Sequence, residues 1–81
     1  MQFDEDLDAI GLLCPLPVLK ARKRIRGLSA GAVLRLVTSD PAAIVDVPHF
    51  CAEGGHDLLA QEEDGDILRF YIRKGQTPNP A

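Results

Sequence analysis

The sequence predicts an α/β fold, a two-layer sandwich in the order β-α-β-α-β-β with both helices on one face of the sheet. Three observations predict it. Residues 15–27 and 41–53 repeat apolar side chains at steps of three and four, the helical period. Four short apolar runs, bounded by Gly, Pro or Asp, read as strands. Two helices are too few to cover both sides of a four-stranded sheet, so they share one layer.

The first strand spans residues 7–10, with a possible start near Phe3, and Gly11 breaks it. The first helix follows, with Val18, Ala21, Ile25 and Leu28 on one face. Gly27 stands where such a helix stops, and the basic residues of its last turns suit the negative helix end. Residues 33–38 form the second strand, with Arg35 breaking an otherwise apolar run. Asp40-Pro41 is a helix-start signal, Asp as N-cap and Pro at the first helical position. Ile44, Val47 and Cys51 then fall on one helical face, Pro48 is expected to kink or split the helix, and Gly54-Gly55 ends it. Residues 58–63 and 67–73 are paired strands joined at Asp64-Gly65, a strong hairpin signal, with Leu68, Phe70 and Ile72 on one face.

With 81 residues the chain is expected to be one domain over residues 1–74, followed by a polar, Pro- and Gly-rich tail at 75–81 that is expected to be flexible. A hydrophobic content of 46% is ample for a folded core and too high for a disordered chain. That core must be aliphatic, since Trp is absent and there are one Tyr and three Phe. A net charge of −3 argues against direct nucleic-acid binding. No apolar run approaches the roughly 20 residues of a membrane span, and the acidic N-terminus lacks the cationic-then-apolar pattern of a leader. The expected compartment is the cytoplasm, where two cysteines are expected to be reduced.

The informative stretch is Gly11-Leu12-Leu13-Cys14-Pro15-Leu16-Pro17, running from strand to helix. A residue before proline is pushed into extended geometry, which an N-cap needs. Pro15 suits the first helical position and Pro17 is tolerated within the first turn. Cys14 is therefore expected as N-cap, its sulfur facing the positive end of the helix. That end is worth about 0.3–1 kcal/mol to an anion, so the thiol is expected below its ordinary pKa. The prolines temper the effect by removing N–H groups at 15 and 17, leaving those of Cys14 and Leu16. No His or acid lies within the motif to complete a protease-like pair.

Gly11, Leu12, Cys14, Pro15 and Pro17 resemble the G-L-x-C-P-x-P signature of the TusA/SirA-like sulfur-carrier proteins. The basic helix, the Asp40-Pro41 helix start, the segment Asp46-Val47-Pro48-His49-Phe50-Cys51 and the closing hairpin also have counterparts there, so the resemblance covers roughly residues 6–74. It implies a mixed four-stranded sheet and a sulfurtransferase-type carrier. Cys14 would accept sulfane sulfur from a cysteine desulfurase or rhodanese-like donor, hold it as a covalent persulfide with no separate cofactor, and pass it to a downstream acceptor protein. Gly11, Pro15, Leu16 and Pro17 would shape the site. Destinations in the family include tRNA thiolation, cofactor synthesis and sulfur oxidation. Leu13 and Leu16, the latter where some members carry Glu, give the thiol an apolar rim without a nearby carboxylate.

Of the remaining candidates, Cys51 reads as a buried core thiol rather than a resolving cysteine. His49, Cys51 and His56 match no recognised zinc spacing, so no metal is expected. Lys20, Arg22, Lys23, Arg24 and Arg26 hold five of the nine basic residues, and Arg22, Lys23 and Arg26 are candidates for steering an acidic partner surface toward the thiol. Two other classes of function stay open at this level: a non-catalytic regulatory or interaction module with a structural Cys14, and a thiol redox sensor.

Overall fold

A computed structural model describes residues 1–75. The elements run β1 (Glu5–Ala9), α1 (Leu16–Arg26), β2 (Val33–Thr38), α2 (Ala43–Gly54), β3 (Asp57–Asp64) and β4 (Ile67–Arg73), the order that the sequence pattern predicts. The sheet is ordered β1-β2-β4-β3. β1 runs parallel to β2, with Leu7 beside Leu36, and the other two pairings are antiparallel. The sheet is therefore mixed.

Alternation along the strands sends one set of side chains toward the helices. Leu7, Leu34, Leu36, Leu68, Phe70 and Ile72 form that floor. Ala21 and Ile25 of α1 lie on it with Val18 and Leu28 at the margin, as their spacing predicts. From α2 the buried residues are Ala43, Val47, Phe50 and Cys51. Ile44, expected inward, is exposed. Its spacing to Val47 and Cys51 fits an inward face, but the face centred on 43, 47, 50 and 51 also takes in the Phe50 ring, and that larger apolar stripe faces the core.

Pro48 neither splits nor ends α2, which is continuous across it. The N-terminus of α2 also differs from expectation. Pro41 and Ala42 form a turn ahead of the helix, and the helix begins at Ala43 rather than at Pro41. Asp40 still serves that end, accepting the Ala42 amide on Oδ1 at 3.1 Å. At the far end Gly55 adopts a left-handed φ of 72°, a conformation that suits glycine. α1 stops at Gly27 as expected, and Lys74 Nζ donates to the carbonyl of Leu28 at 2.6 Å just beyond that end.

The helix-free face is covered by side chains. Arg35 forks onto the Asp6 carboxylate with two 2.9 Å bonds. Its guanidinium lies 4.2 Å from the centroid of the Phe3 ring, and Tyr71 Oη donates to Glu62 at 3.0 Å. The hairpin turns at Gly65 and Asp66, with Gly65 at a φ of 61°. Gly75, placed in the tail by its sequence, donates its amide to His56 Nδ1 at 3.0 Å; the rest of that expected tail, 76–81, lies outside the described residues. Among the described residues no helix is long and apolar enough to cross a membrane.

Candidate functional site

Parallel β1 and β2 are each followed by a helix, so both strand-to-helix joins lie at the same end of the sheet. That topology brings Cys14, in the first join, beside Asp40 and Asp46, in and after the second. The Gly11 amide donates to Ser39 Oγ at 2.9 Å and ties the two joins together. Gly11 sits at a φ of 86°, and a side-chain carbon there would meet nothing within 4 Å. The requirement for glycine is thus one of backbone conformation rather than space.

The residues after Gly11 make a second turn, closed by a 2.8 Å bond from the Leu16 amide to the Leu13 carbonyl. Within it the Cys14–Pro15 peptide is cis. Pro15, expected as the first helical residue, is the N-cap, and Leu16 opens α1. Pro17 lies in the first turn, where a missing N–H is harmless, and its ring is buried. It therefore helps to seat the helix as well as shaping its start.

Cys14, expected as the N-cap, thus stands one residue ahead of it, and its surroundings overturn the expected acidification. Its amide donates to the buried carboxylate of Asp40 through Oδ2. The Leu16 amide is committed to Leu13, and positions 15 and 17 have no N–H. The exposed thiol instead donates to Asp46 Oδ2 at 2.8 Å. That hydrogen bond, with smaller contributions from desolvation and from the charges of Asp46 and Asp40, pushes the thiol above its ordinary pKa. The expectation that no carboxylate lies near the thiol is corrected on the same grounds.

Asp46 and Asp40 are the residues that sequence reasoning placed elsewhere. Asp40 was legible as a helix-start residue, but one oxygen serves α2 while the other holds the Cys14 backbone. A usable signal existed for both: in a β-α-β-α order with β1 and β2 parallel, the residues after each strand become neighbours. The apolar rim is present as expected, with Leu13 70% exposed and Leu16 also exposed. Val45, next to Asp46 in sequence, is 72% exposed.

The remaining candidates are dispersed. Cys51 is 4% exposed in the core, and burial pushes its thiol up to about 11. Both cysteines are free. His49 lies 3.1 Å from Glu53 on the surface of α2, and His56 packs beside the Phe50 ring. Among the described residues no group of three or more His, Cys, Asp or Glu is arranged to hold a metal ion. The basic cluster divides between two sides of α1. Arg22 lies 5.9 Å from the centroid of the Phe50 ring, toward α2. Lys20, Lys23 and Arg24 line a shallow depression with Leu7 of β1. Arg24 is paired with Glu5 at 2.8 Å; among the described residues Arg22, Lys23 and Arg26 enter no ion pair.

Comparison with known proteins agrees with this fold. A crystal structure of a SirA-like protein from Desulfitobacterium hafniense superposes with a TM-score of 0.78 at 24% identity, covering 90% of this chain and 100% of that one, which establishes a shared fold. A curated protein of Bacillus subtilis (strain 168), described as the putative sulfur carrier protein YrkI, is 43% identical over 75 residues, 93% of this chain and 100% of its own length. The family model for sulfurtransferase TusA matches residues 5–74, from the first residue of β1 to the residue after β4. The chain therefore belongs to the TusA family of sulfur carriers.

Proposed function

We propose that Cys14 receives sulfane sulfur as a persulfide from a cysteine desulfurase or rhodanese-like donor and relays it to an acceptor protein in the cytoplasm. The observation that carries this reading is the position of an exposed thiol, at a strand-to-helix join, in a chain of the TusA family. The Cys14 sulfur attacks the outer sulfur of the donor persulfide. A new S–S bond forms, the old one breaks, and the donor cysteine leaves with a proton as a free thiol. Sulfane sulfur changes hands with no net oxidation, so the chain needs no redox cofactor for the step. The second transfer repeats it with the acceptor as attacking group. Thiolation of tRNA, cofactor synthesis and sulfur oxidation are the classes of process that consume sulfur delivered in this form, reached through protein partners rather than direct nucleic-acid contact.

Mass spectrometry after incubation with cysteine and a cysteine desulfurase, or with thiosulfate and a rhodanese, tests the reading. The expected product is wild-type chain heavier by one sulfur atom on Cys14, reversed by dithiothreitol and absent from Cys14→Ser. A wild-type chain left unmodified by both donor systems would overturn it in favour of an interaction module with a structural cysteine.

A further inference from the structure

We propose that Asp46 is a positioning residue that treats the two states of the Cys14 sulfur in opposite senses, retaining the unloaded thiol and turning the loaded persulfide outward toward its acceptor. The inference rests on the carrier reading and deepens it.

Its basis is a mismatch of donors and acceptors. An unloaded thiol has one hydrogen to give, and the Asp46 carboxylate takes it at 2.8 Å. A carboxylate can only accept. Once a second sulfur is attached, Sγ has no hydrogen, and the terminal sulfur, more acidic than a thiol, is an anion near neutral pH. The bond that held the thiol is replaced by repulsion between two negative groups. Asp46 is half-buried in the first turn of α2, which limits its escape. Asp40 adds negative charge of the same sign, and its oxygens are held by the amides of Cys14 and Ala42. The exposed apolar side chains of Leu13 and Leu16 offer no donor to compensate. The anionic sulfur is thus turned away from the two acids, toward water or toward donors that a partner brings.

Atoms and electrons balance. In loading, Sγ bonds to the outer sulfur of the donor persulfide while the donor's own S–S bond breaks. The proton leaving Sγ ends on the departing donor thiolate. No electrons enter or leave.

An acidic residue in a first helical turn also stabilises the helix through its dipole, so the test needs a readout that helix stability does not move. The full chain is loaded with inorganic polysulfide, and the rates of iodoacetamide alkylation of thiol and persulfide are compared near pH 7 for wild type and Asp46→Asn, with thermal melting to verify folding. The expected result is a change of opposite sign: several-fold faster alkylation of the unloaded thiol in Asp46→Asn, and several-fold slower alkylation of the loaded form, because the amide can donate to the anionic sulfur and hold it in. Asp46→Glu, which keeps the carboxylate, should preserve the wild-type order of the two rates. Rates that move together, or do not move, in a folded and loaded Asp46→Asn chain overturn the proposal and leave sulfur carriage standing. A wild-type chain that takes up no sulfur from polysulfide or from either protein donor system removes both.

Discussion

The amide of Gly11 donates to Ser39 Oγ at 2.9 Å, a bond across 28 positions of sequence that joins the exit of β1 to the exit of β2. It fixes the loop that presents Cys14 against the loop that supplies Asp40. Because Gly11 has a φ of 86°, any L side chain there is strained by about 1–2 kcal/mol.

Gly11→Ala should therefore lower stability by that amount with no steric contribution, a shift readable as a reduced urea midpoint at unchanged slope. It should also slow sulfur loading of Cys14, since the strained turn is the one that carries the thiol. A variant as stable and as readily loaded as wild type would show that the loop tolerates the other conformation.

Asp40 joins the two halves of the site through its carboxylate, and its removal should be more costly than loss of an ordinary cap. Asp40→Ala leaves the amides of Cys14 and Ala42 without their acceptor, at a cost of about 2–3 kcal/mol. Asp40→Asn should cost less, because one carbonyl oxygen remains. Equilibrium unfolding of the two variants measures the difference, and equal losses would mean that the remaining carbonyl oxygen satisfies neither amide.

His56 gives stability a pH dependence. Burial lowers its pKa below the ordinary 6.5, Lys74 adds to the shift and Asp57 opposes it. Its Nδ1 also accepts the Gly75 amide, a bond that protonation would end. The unfolded chain therefore takes up the proton first, so stability is complete above the unfolded value and is lost as pH falls through it toward the folded value. Urea midpoints should decline between pH 7.5 and 5 in wild type. His56→Gln should flatten that decline, and an unchanged slope in the variant would assign it to other groups.

The division of the basic cluster separates two kinds of charge. Arg22 faces α2 and Lys23 faces β1, so they meet different parts of any docked protein. Arg22→Glu with Arg26→Glu should slow transfer from a donor presenting an acidic surface, and the deficit should shrink as salt rises above about 0.15 M. Lys23→Glu should have a smaller effect, since it lines the depression on the β1 side. Stopped-flow transfer rates across a salt series would measure both, and indifference of the double variant to salt would remove the steering role.

Most of the architecture was legible because it rests on period and punctuation. The strand alternation of Leu68, Phe70 and Ile72, the helical steps of Ala21 and Ile25, and the stop at Gly27 are local signals that the tertiary structure leaves intact. The departures arise where local signals compete with distant ones. Ile44 and Val47 fit the same period as Ala43 and Val47, and only the bulk of Phe50 decides which stripe faces the sheet. Cys14 and Pro15 carry good N-cap and first-turn chemistry, yet α1 begins at Leu16 with Pro15 as its N-cap, and the Cys14 amide is taken by the distant Asp40 carboxylate. The polarity of the thiol's surroundings was illegible within its motif because Asp46 lies 32 positions away and is brought near only by the parallel pairing of β1 with β2.

Burying Cys51 on the inner face of α2 leaves the surface with a single thiol. Covalent bookkeeping on this chain is consequently one-to-one for thiols: each copy presents one handle, and a thiol-directed reagent on the folded protein reports on Cys14. Since Cys51 is buried in the core, the thiol an oxidant meets on the folded surface is that of Cys14, and the disulfide formed between two such exposed thiols is a cross-link between two molecules, visible as a reducible dimer.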